Sequence, residues 1–263
     1  MNASLPLTPE RIYLTDGGLE TTLIFHDKID LPCFAAFDLL KDEAGRETLR
    51  KYYRRYADLA VESKCGFIFE SPTWRASRDW GAELGYSADR IAAFNREAIE
   101  MMNSIRKDYE NAESPMVVSG NIGPRGDGYV AGQQMTIDES RQYHQHQADA
   151  LVDAGADLIT AITIPYVNEA IGIVKAAQHR GCPTVIGFTT ETDGRLPSGM
   201  TLENAIQAVD EASDYGPAYY MVNCAHFDHF STSLADNANW TQRIRGIRAL
   251  SLIHISEPTR PSP

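Results

Sequence analysis

Short apolar segments alternate with stretches of helical periodicity along this chain, about six times at roughly 40-residue spacing, and no other feature restricts the fold as strongly. The segments cover residues 11–15, 67–69, 115–119, 157–163, 184–188 and 219–226. They are apolar throughout rather than alternating, as expected of parallel strands buried on both faces. Between them, Leu49, Tyr52, Tyr53, Tyr56, Leu59 and Ala60 share one helical face, and Ile91, Phe94, Ala98, Met102, Ile105 and Tyr109 share another. Thr136 with Glu139 forms a capping-box pattern opening a third helix, whose apolar face (Tyr143, Ala150, Leu151, Ala154) admits Gln147 as one polar intruder. Ala170, Ile171, Val174 and Ala177 mark a fourth helix, and residues 202–215 a fifth that stops at Gly216-Pro217. Residues 239–248 read as a sixth, with Ile247 beginning a seventh strand. Residues 22–45 show no period, and a loop of that length implies a lid or short irregular elements.

A repeat of this kind is either a doubly wound sheet or a (β/α)8 barrel. Both folds put their sites at the strand C-terminal ends, where this chain places Asp16, Glu70, Asn121, Thr163, Thr189 and Asn223. No GxGxxG follows the first strand, and the glycines from Gly120 to Gly128 lack dinucleotide or Walker spacing. That favours the α/β TIM barrel.

The chain has 263 residues and a formal net charge of −12, which disfavours nucleic acid and anionic membrane surfaces alike. No apolar run approaches the roughly 20 residues that span a bilayer. Residues 1–15 lack the basic and apolar regions of a signal peptide, so a cytoplasmic protein is expected. Cys33, Cys65, Cys182 and Cys224 follow no disulfide framework and read as reduced thiols. Cys65 and Cys182 precede strands, where cysteine behaves as a small hydrophobe. Cys224 differs. It ends the apolar run Tyr219-Tyr220-Met221-Val222-Asn223, with His226, Asp228 and His229 close behind. It is either a metal ligand at a strand tip or a further buried thiol. Asp16, ahead of Gly17-Gly18, is either a ligand-facing carboxylate or a turn-stabilising side chain.

Taken together, Asp16-Gly17-Gly18-Leu19-Glu20-Thr21, Gly120-Asn121-Ile122-Gly123-Pro124, Thr163-Ile164-Pro165 and Val222-Asn223-Cys224 resemble the homocysteine S-methyltransferase family over residues 11–249. The resemblance implies a (β/α)8 barrel that transfers a methyl group to a small-molecule thiol, homocysteine or a relative. The donor would be a sulfonium, a quaternary ammonium or a corrinoid. It also implies zinc held by three cysteines, one at strand six and an adjacent pair in a Gly-Gly-Cys-Cys motif on strand eight. Cys224 matches the first, and the pair is absent from this sequence. By the same resemblance Asp16, Gly17 and Glu20 lie at the amino-acid end of the substrate, and Asn223 shapes the site. One departure concerns the acceptor: Ile162 stands where the family has a glutamate that contacts the substrate amino group, leaving Glu191 as a substitute or a different substrate.

Residues 250–260 fit neither a strand nor a capping helix and read as the in-frame translation of a sequencing-adapter end. The expectation is a barrel domain over residues 1–249, a non-native tail over 250–263, and a barrel with strand eight missing. Such a chain would be inactive and bind zinc weakly. His226, Asp228 and His229 could instead complete a shell with Cys224, or form solvated surface. His144 and His146 lie on opposite sides of a helix turn and make no ligand pair. Two other functions compete: a zinc-independent barrel lyase or aldolase using Asp16, Glu20 and Glu70, and a non-catalytic small-molecule-binding domain. The first lacks a Schiff-base lysine, because Lys64 and Lys175 fall on helices. Neither the donor nor an oligomeric state is encoded in these motifs.

Overall fold

The computed structural model describes residues 7, 8, 10–234 and 238–250. Strand β1 (Tyr13–Thr15) leads through one helical turn, α1 (Leu19–Thr21), and a π turn at Thr22–His26. Two 3-10 turns follow at Pro32–Phe34 and Ala36–Lys41, so the aperiodic stretch consists of short irregular elements. Helix α2 (Glu43–Glu62) begins earlier than its apolar stripe, because the Asp42 side chain caps it by accepting from the Gly45 amide at 2.8 Å. Next come β2 (Gly66–Glu70), α3 (Arg78–Glu83), α4 (Ala88–Tyr109), β3 (Met116–Ile122) and α5 (Ile137–Asp153). Helix α5 opens with both halves of the expected capping box between Thr136 and Glu139. The chain continues with β4 (Leu158–Ile164), α6 (Val167–His179), β5 (Thr184–Phe188), α7 (Leu202–Ser213), β6 (Pro217–His226), α8 (Phe227–Leu234) and β7 (Ile244–Leu250).

All six pairings are parallel, and the sheet order is β1-β2-β3-β4-β5-β6-β7. A doubly wound sheet reverses its order at a switch point; this one never does. It winds one way and curls into a half-barrel, so that Arg248 on β7 reaches Asp16 just beyond β1. An eighth strand is not among the described residues.

The period of two splits the strands into two faces. Phe67, Phe69, Val118, Ile159, Ile186, Tyr220 and Val222 join the main cluster under the helices. Ile68, Val117, Leu158, Val185, Tyr219 and Met221 form a second cluster inside the curl. Continuing along the inner face toward the C-terminal ends, the residues turn polar: Glu70, Ser119, Thr160 and Asn223. The inner face is thus an apolar plug below a polar floor.

Strand β7 differs from expectation. Residues 239–248 are not a helix; Asn239–Arg243 is a 3-10 turn and the strand starts at Ile244. Side-chain docking explains this. Arg243 grips Asp210 on α7 with Nε at 2.9 Å and Nη2 at 2.8 Å, and also donates to the Pro217 and Ala218 carbonyls. Asp210 in turn accepts from Tyr220 Oη at 2.8 Å. Ladder bonds to β6 then outweigh the small helical preference of a short, arginine-rich segment. A register shift at Arg245 puts Arg248 opposite Asn223, on the inner face. Leu250, expected to fit no strand, closes β7 opposite His226. The rest of the expected non-native tail, residues 251–263, lies outside the described residues.

Replacing Asp210 with Ala leaves the Arg243 guanidinium without its forked partner and Tyr220 without an acceptor. Chemical denaturation is expected to show a loss on the order of 3 kcal/mol, with hydrogen exchange rising first in β7.

Candidate functional site

The strand C-terminal ends surround one cleft of about 500 Å³. Because every strand runs the same way, residues far apart in sequence converge there: the turn from Asp16 to Thr21 after β1, Glu70 and Ser71 after β2, Asn121 from β3, Ile162 and Thr163 from β4, Asn223 and Cys224 from β6, and Arg248 from β7. The sequence-predicted residues Asp16, Gly17, Glu20, Asn223 and Cys224 all line it. Thr189 is buried just beyond β5 and, like Glu191, is not among the lining residues, so Glu191 is not placed to replace a carboxylate at position 162.

The thiol corner is built from two distorted strand ends. Thr163 (φ 61°) and Cys224 (φ 54°) both adopt left-handed backbone, unusual for a β-branched residue and for cysteine. The pairing register shifts beside each of them, which turns the tips inward. The Asn223 side chain holds the two together. Its Oδ1 accepts from the Thr163 amide at 2.9 Å, and its Nδ2 donates to Thr163 Oγ1 at 2.8 Å and to Cys224 Sγ at 3.2 Å. Thr163 Oγ1 adds a donor 3.5 Å from the same sulfur. Gly187 on β5 leaves room for this: a Cβ there would sit 2.7 Å from Asn223 Oδ1. Asn223 therefore ties the tips of β4 and β6 together, and Cys224 presents a sulfur fixed by two donors.

Beside the thiol corner lies a charged wall, with Arg248 in register with Asn223 across β6 and β7. Asp16 is buried and both its oxygens are engaged: Oδ2 accepts from Tyr52 Oη at 2.8 Å, and Oδ1 from Arg248 Nη2 at 3.0 Å. The same Nη2 reaches the Asp16 carbonyl at 3.0 Å. Tyr53 Oη donates to the Glu70 carbonyl at 2.7 Å, so the α2 stripe read as an apolar face also fixes the ends of β1 and β2. Burial pushes Glu70 up to about 7; the neighbouring Arg248 opposes this and Asp16 reinforces it. Burial likewise pushes Glu20 to about 7. For Arg248, burial works against the charge, but Asp16 and Glu70 outweigh it and raise its pKa.

Arg248 and Arg75 are the residues that sequence reasoning missed. Arg248 was hidden by the helical reading of its segment; its signal is the period-two spacing of Gly246, Arg248 and Leu250. Arg75 lies between the rings of Trp74 and Trp80, 4.0 and 3.8 Å from their centroids, and donates to the Gly126 carbonyl at 2.9 Å. Burial lowers its pKa to about 10, which leaves it charged at neutral pH. The Trp-Arg pair at positions 74 and 75 was a readable signal for a stacked guanidinium.

Of the other candidates, His226 Nδ1 accepts from the Asp228 amide at the start of α8, and Asp228 is exposed. His226 and His229 do not converge with Cys224 on a shared centre: among the described residues, no three His, Cys, Asp or Glu side chains could hold a metal ion. His144 makes no pair with His146; it is buried against Glu169 at 3.0 Å, between α5 and α6. Lys64 lies in the turn beyond α2 rather than on the helix, Lys175 is in α6, and neither lines the cleft. All four cysteines are free thiols; Cys182 is buried as expected, whereas Cys65 is only partly so. No helix among the described residues is long and apolar enough to cross a membrane.

The homocysteine S-methyltransferase family model matches residues 13–251, and the chain belongs to that family. Homocysteine S-methyltransferase 1 of Arabidopsis thaliana is 22% identical over 81% of this chain and 68% of its own length. Homocysteine S-methyltransferase of Escherichia coli is 24% identical over 94% of this chain and 78% of its own. The metallated form of the homocysteine methyltransferase MmuM from Escherichia coli superposes with a TM-score of 0.70 at 18% identity, covering 86% of this chain and 79% of that one. That likeness supports a TIM-like barrel fold.

Glu70 gives a pH signature. Its ordinary value is 4.5 and its folded value about 7, so the folded chain binds more protons than the unfolded one between these values. Stability is therefore lost as pH rises from about 4.5 to about 7 and stays lower above. Glu70→Gln removes that penalty, on the order of 1–3 kcal/mol. Thermal melts are expected to show the variant gaining several degrees on the parent at pH 8 relative to pH 4.5.

Proposed function

We propose that the chain forms the acceptor-binding barrel of a methyltransferase acting on the thiol of homocysteine or a closely related amino acid. The observation that carries this reading is one cleft combining a fixed sulfur at Cys224 with a wall of opposed charges. In the reaction the acceptor sulfur gives up its proton to solvent and forms a bond to the methyl carbon as the methyl group's bond to the donor breaks. The donor leaves with the electron pair. The chain's own contribution is positioning: Asp16 and Tyr52 fix Arg248, Gly17 leaves room for the Tyr56 hydroxyl, which a Cβ would approach to 2.8 Å, and Asn223 aims the thiol corner. Glu20, on the same turn, adds a carboxylate whose proton is exchangeable near neutral pH. The free thiols suit a reducing compartment, and we place the protein in the cytoplasm.

The residues present do not fit zinc. A catalytic zinc site takes three protein ligands and leaves one position open. Cys224 supplies one. Cys65 and Cys182 precede β2 and β5, at the opposite end of the sheet, and Cys33 is exposed outside the cleft. Cys224 as a zinc ligand therefore requires two further thiolates, and no step here is routed through a metal.

A second reading has one observation in its favour: Asp16, Glu20 and Glu70 share the cleft, as a metal-free lyase would require. Two of these carboxylates face arginine, and no lysine lines the cleft among the described residues, which weakens it.

Alkylation mapped by mass spectrometry tests the acceptor assignment. Homocysteine is expected to slow labelling of Cys224 by iodoacetamide at least about tenfold while leaving the exposed Cys33 unaffected, and zinc content after dialysis is expected to be well below one per chain. Equal labelling of Cys224 with and without saturating homocysteine would overturn the reading.

A further inference from the structure

Four buried polar atoms without a hydrogen-bond partner belong to residues that line the cleft: Glu70 Oε2, Asn121 Oδ1, Arg75 Nε and Arg248 Nη1. Two are acceptors and two are donors. Buried polar groups are almost always satisfied, so such a cluster marks a place where a ligand completes the bonding. A ligand that satisfies this set must itself carry both donors and acceptors.

The charges narrow the choice further. Each Asp16 oxygen already accepts one bond, from Tyr52 and from Arg248. As the counter-ion of Arg248 it has less charge to offer a substrate ammonium than Glu70, whose Oε2 accepts none. Ile162, on the neighbouring wall, offers no acceptor. Glu70 is 3% exposed and keeps Oε2 unpaired, its carboxylate being otherwise supported by Ser119 and Thr160. Arg248 and Glu70 lie close enough to perturb each other, yet they make no ion pair within the 4.0 Å that defines one. Two opposite charges facing one cleft, held apart with an unpaired atom each, match a molecule that carries both signs on adjacent groups.

We infer that Arg248 binds the carboxylate and Glu70 the ammonium of the acceptor's amino-acid end, with Asp16 as the positioning residue that holds Arg248. The assignment rests on the thiol-acceptor reading above and names the specificity determinants of that same site. Arg248 suits a carboxylate because its planar fork can bond Asp16 with one nitrogen and the ligand with the other. Asp16 offsets the charge of Arg248, which lets the arginine be buried. The ammonium stabilises the ionised form of Glu70, and binding near neutral pH therefore releases a proton from it.

Calorimetry on the full chain with three ligands decides the matter. These are homocysteine, its decarboxylated analogue (an aminopropanethiol) and its deaminated analogue (a mercaptobutanoate). Each analogue is expected to bind at least about tenfold more weakly than homocysteine, since each leaves one buried charge unpaired. Homocysteine binding measured in buffers of different ionisation enthalpy is expected to release a fraction of a proton at pH 7, and Glu70→Gln to abolish that release. Arg248→Met should weaken homocysteine at least about tenfold and leave the aminopropanethiol unchanged, a split that general loosening would not produce. Should that variant fail to fold, the ligand series on the unmodified chain still decides. Equal affinity for homocysteine and the aminopropanethiol overturns the role of Arg248 while leaving the thiol-acceptor reading intact. Equal affinity for homocysteine and the mercaptobutanoate does the same for Glu70. Absence of binding by all three overturns that reading and this assignment together.

Discussion

The contact between Asp16 and Arg248 sets the geometry on which the site depends. A singly wound parallel sheet has two edges, and here they are β1 and β7, separated by 232 residues along the chain between these two side chains. One guanidinium nitrogen bonds both the carbonyl and the carboxylate of Asp16, while Tyr52 closes the carboxylate from the other side. The pair brings the ends of the curl together and gives the cleft its charged wall. Pairs of this kind gain little over an apolar contact, because desolvating both charges cancels most of their attraction. Breaking one is expensive all the same. The pair therefore acts as a specific latch more than as a source of stability, and it latches at the wall of the cleft.

The thiol corner follows from a different constraint. Strands that simply continued would point Thr163 and Cys224 along the sheet. Left-handed backbone at both positions turns them instead, at a cost of roughly 1–3 kcal/mol each, which the Asn223 bonds and the fit of Gly187 offset. Strain of this size persists only where surrounding contacts determine it. Its location at the tips of β4 and β6, on either side of β5, and at the sulfur itself, ties the distortion to the cleft.

How much of this was readable depended on the length of the signal. Six strands and five helices declared themselves because each carries several apolar residues at one period, and the Thr136–Glu139 box marked a helix start to the residue. Asp16, Gly17, Glu20, Asn223 and Cys224 were singled out because they follow strands, and parallel topology gathers strand ends into one cleft. Strand β7 was not found. Its seven residues include two arginines, and a bulge at Arg245 interrupts the alternation. What holds it in place is the grip of Arg243 on Asp210, a tertiary contact that no window of sequence contains. The misreading had a functional consequence, since it concealed Arg248. Tyr52 and Tyr53 were hidden differently: their rings satisfied the helix pattern, so nothing flagged their hydroxyls.

Arg248 also changes how the remaining acidic residues are to be understood. Without it, Asp16, Glu20 and Glu70 in one cleft resemble the carboxylate cluster of a lyase, and mutual repulsion would leave them ready to bind a cation. With it, Asp16 is neutralised by its partner, and Glu70 lies between the influence of that arginine and the cost of its own burial. Arg75, fixed between two tryptophans, adds a second cation that cannot swing away. The cleft carries both signs, Asp16, Glu20, Glu70 and Asp127 against Arg75 and Arg248, so a purely cationic or purely anionic ligand would leave one wall unpaired. A zwitterion leaves neither unpaired, and a thiol on its side chain can extend toward the fixed sulfur of Cys224.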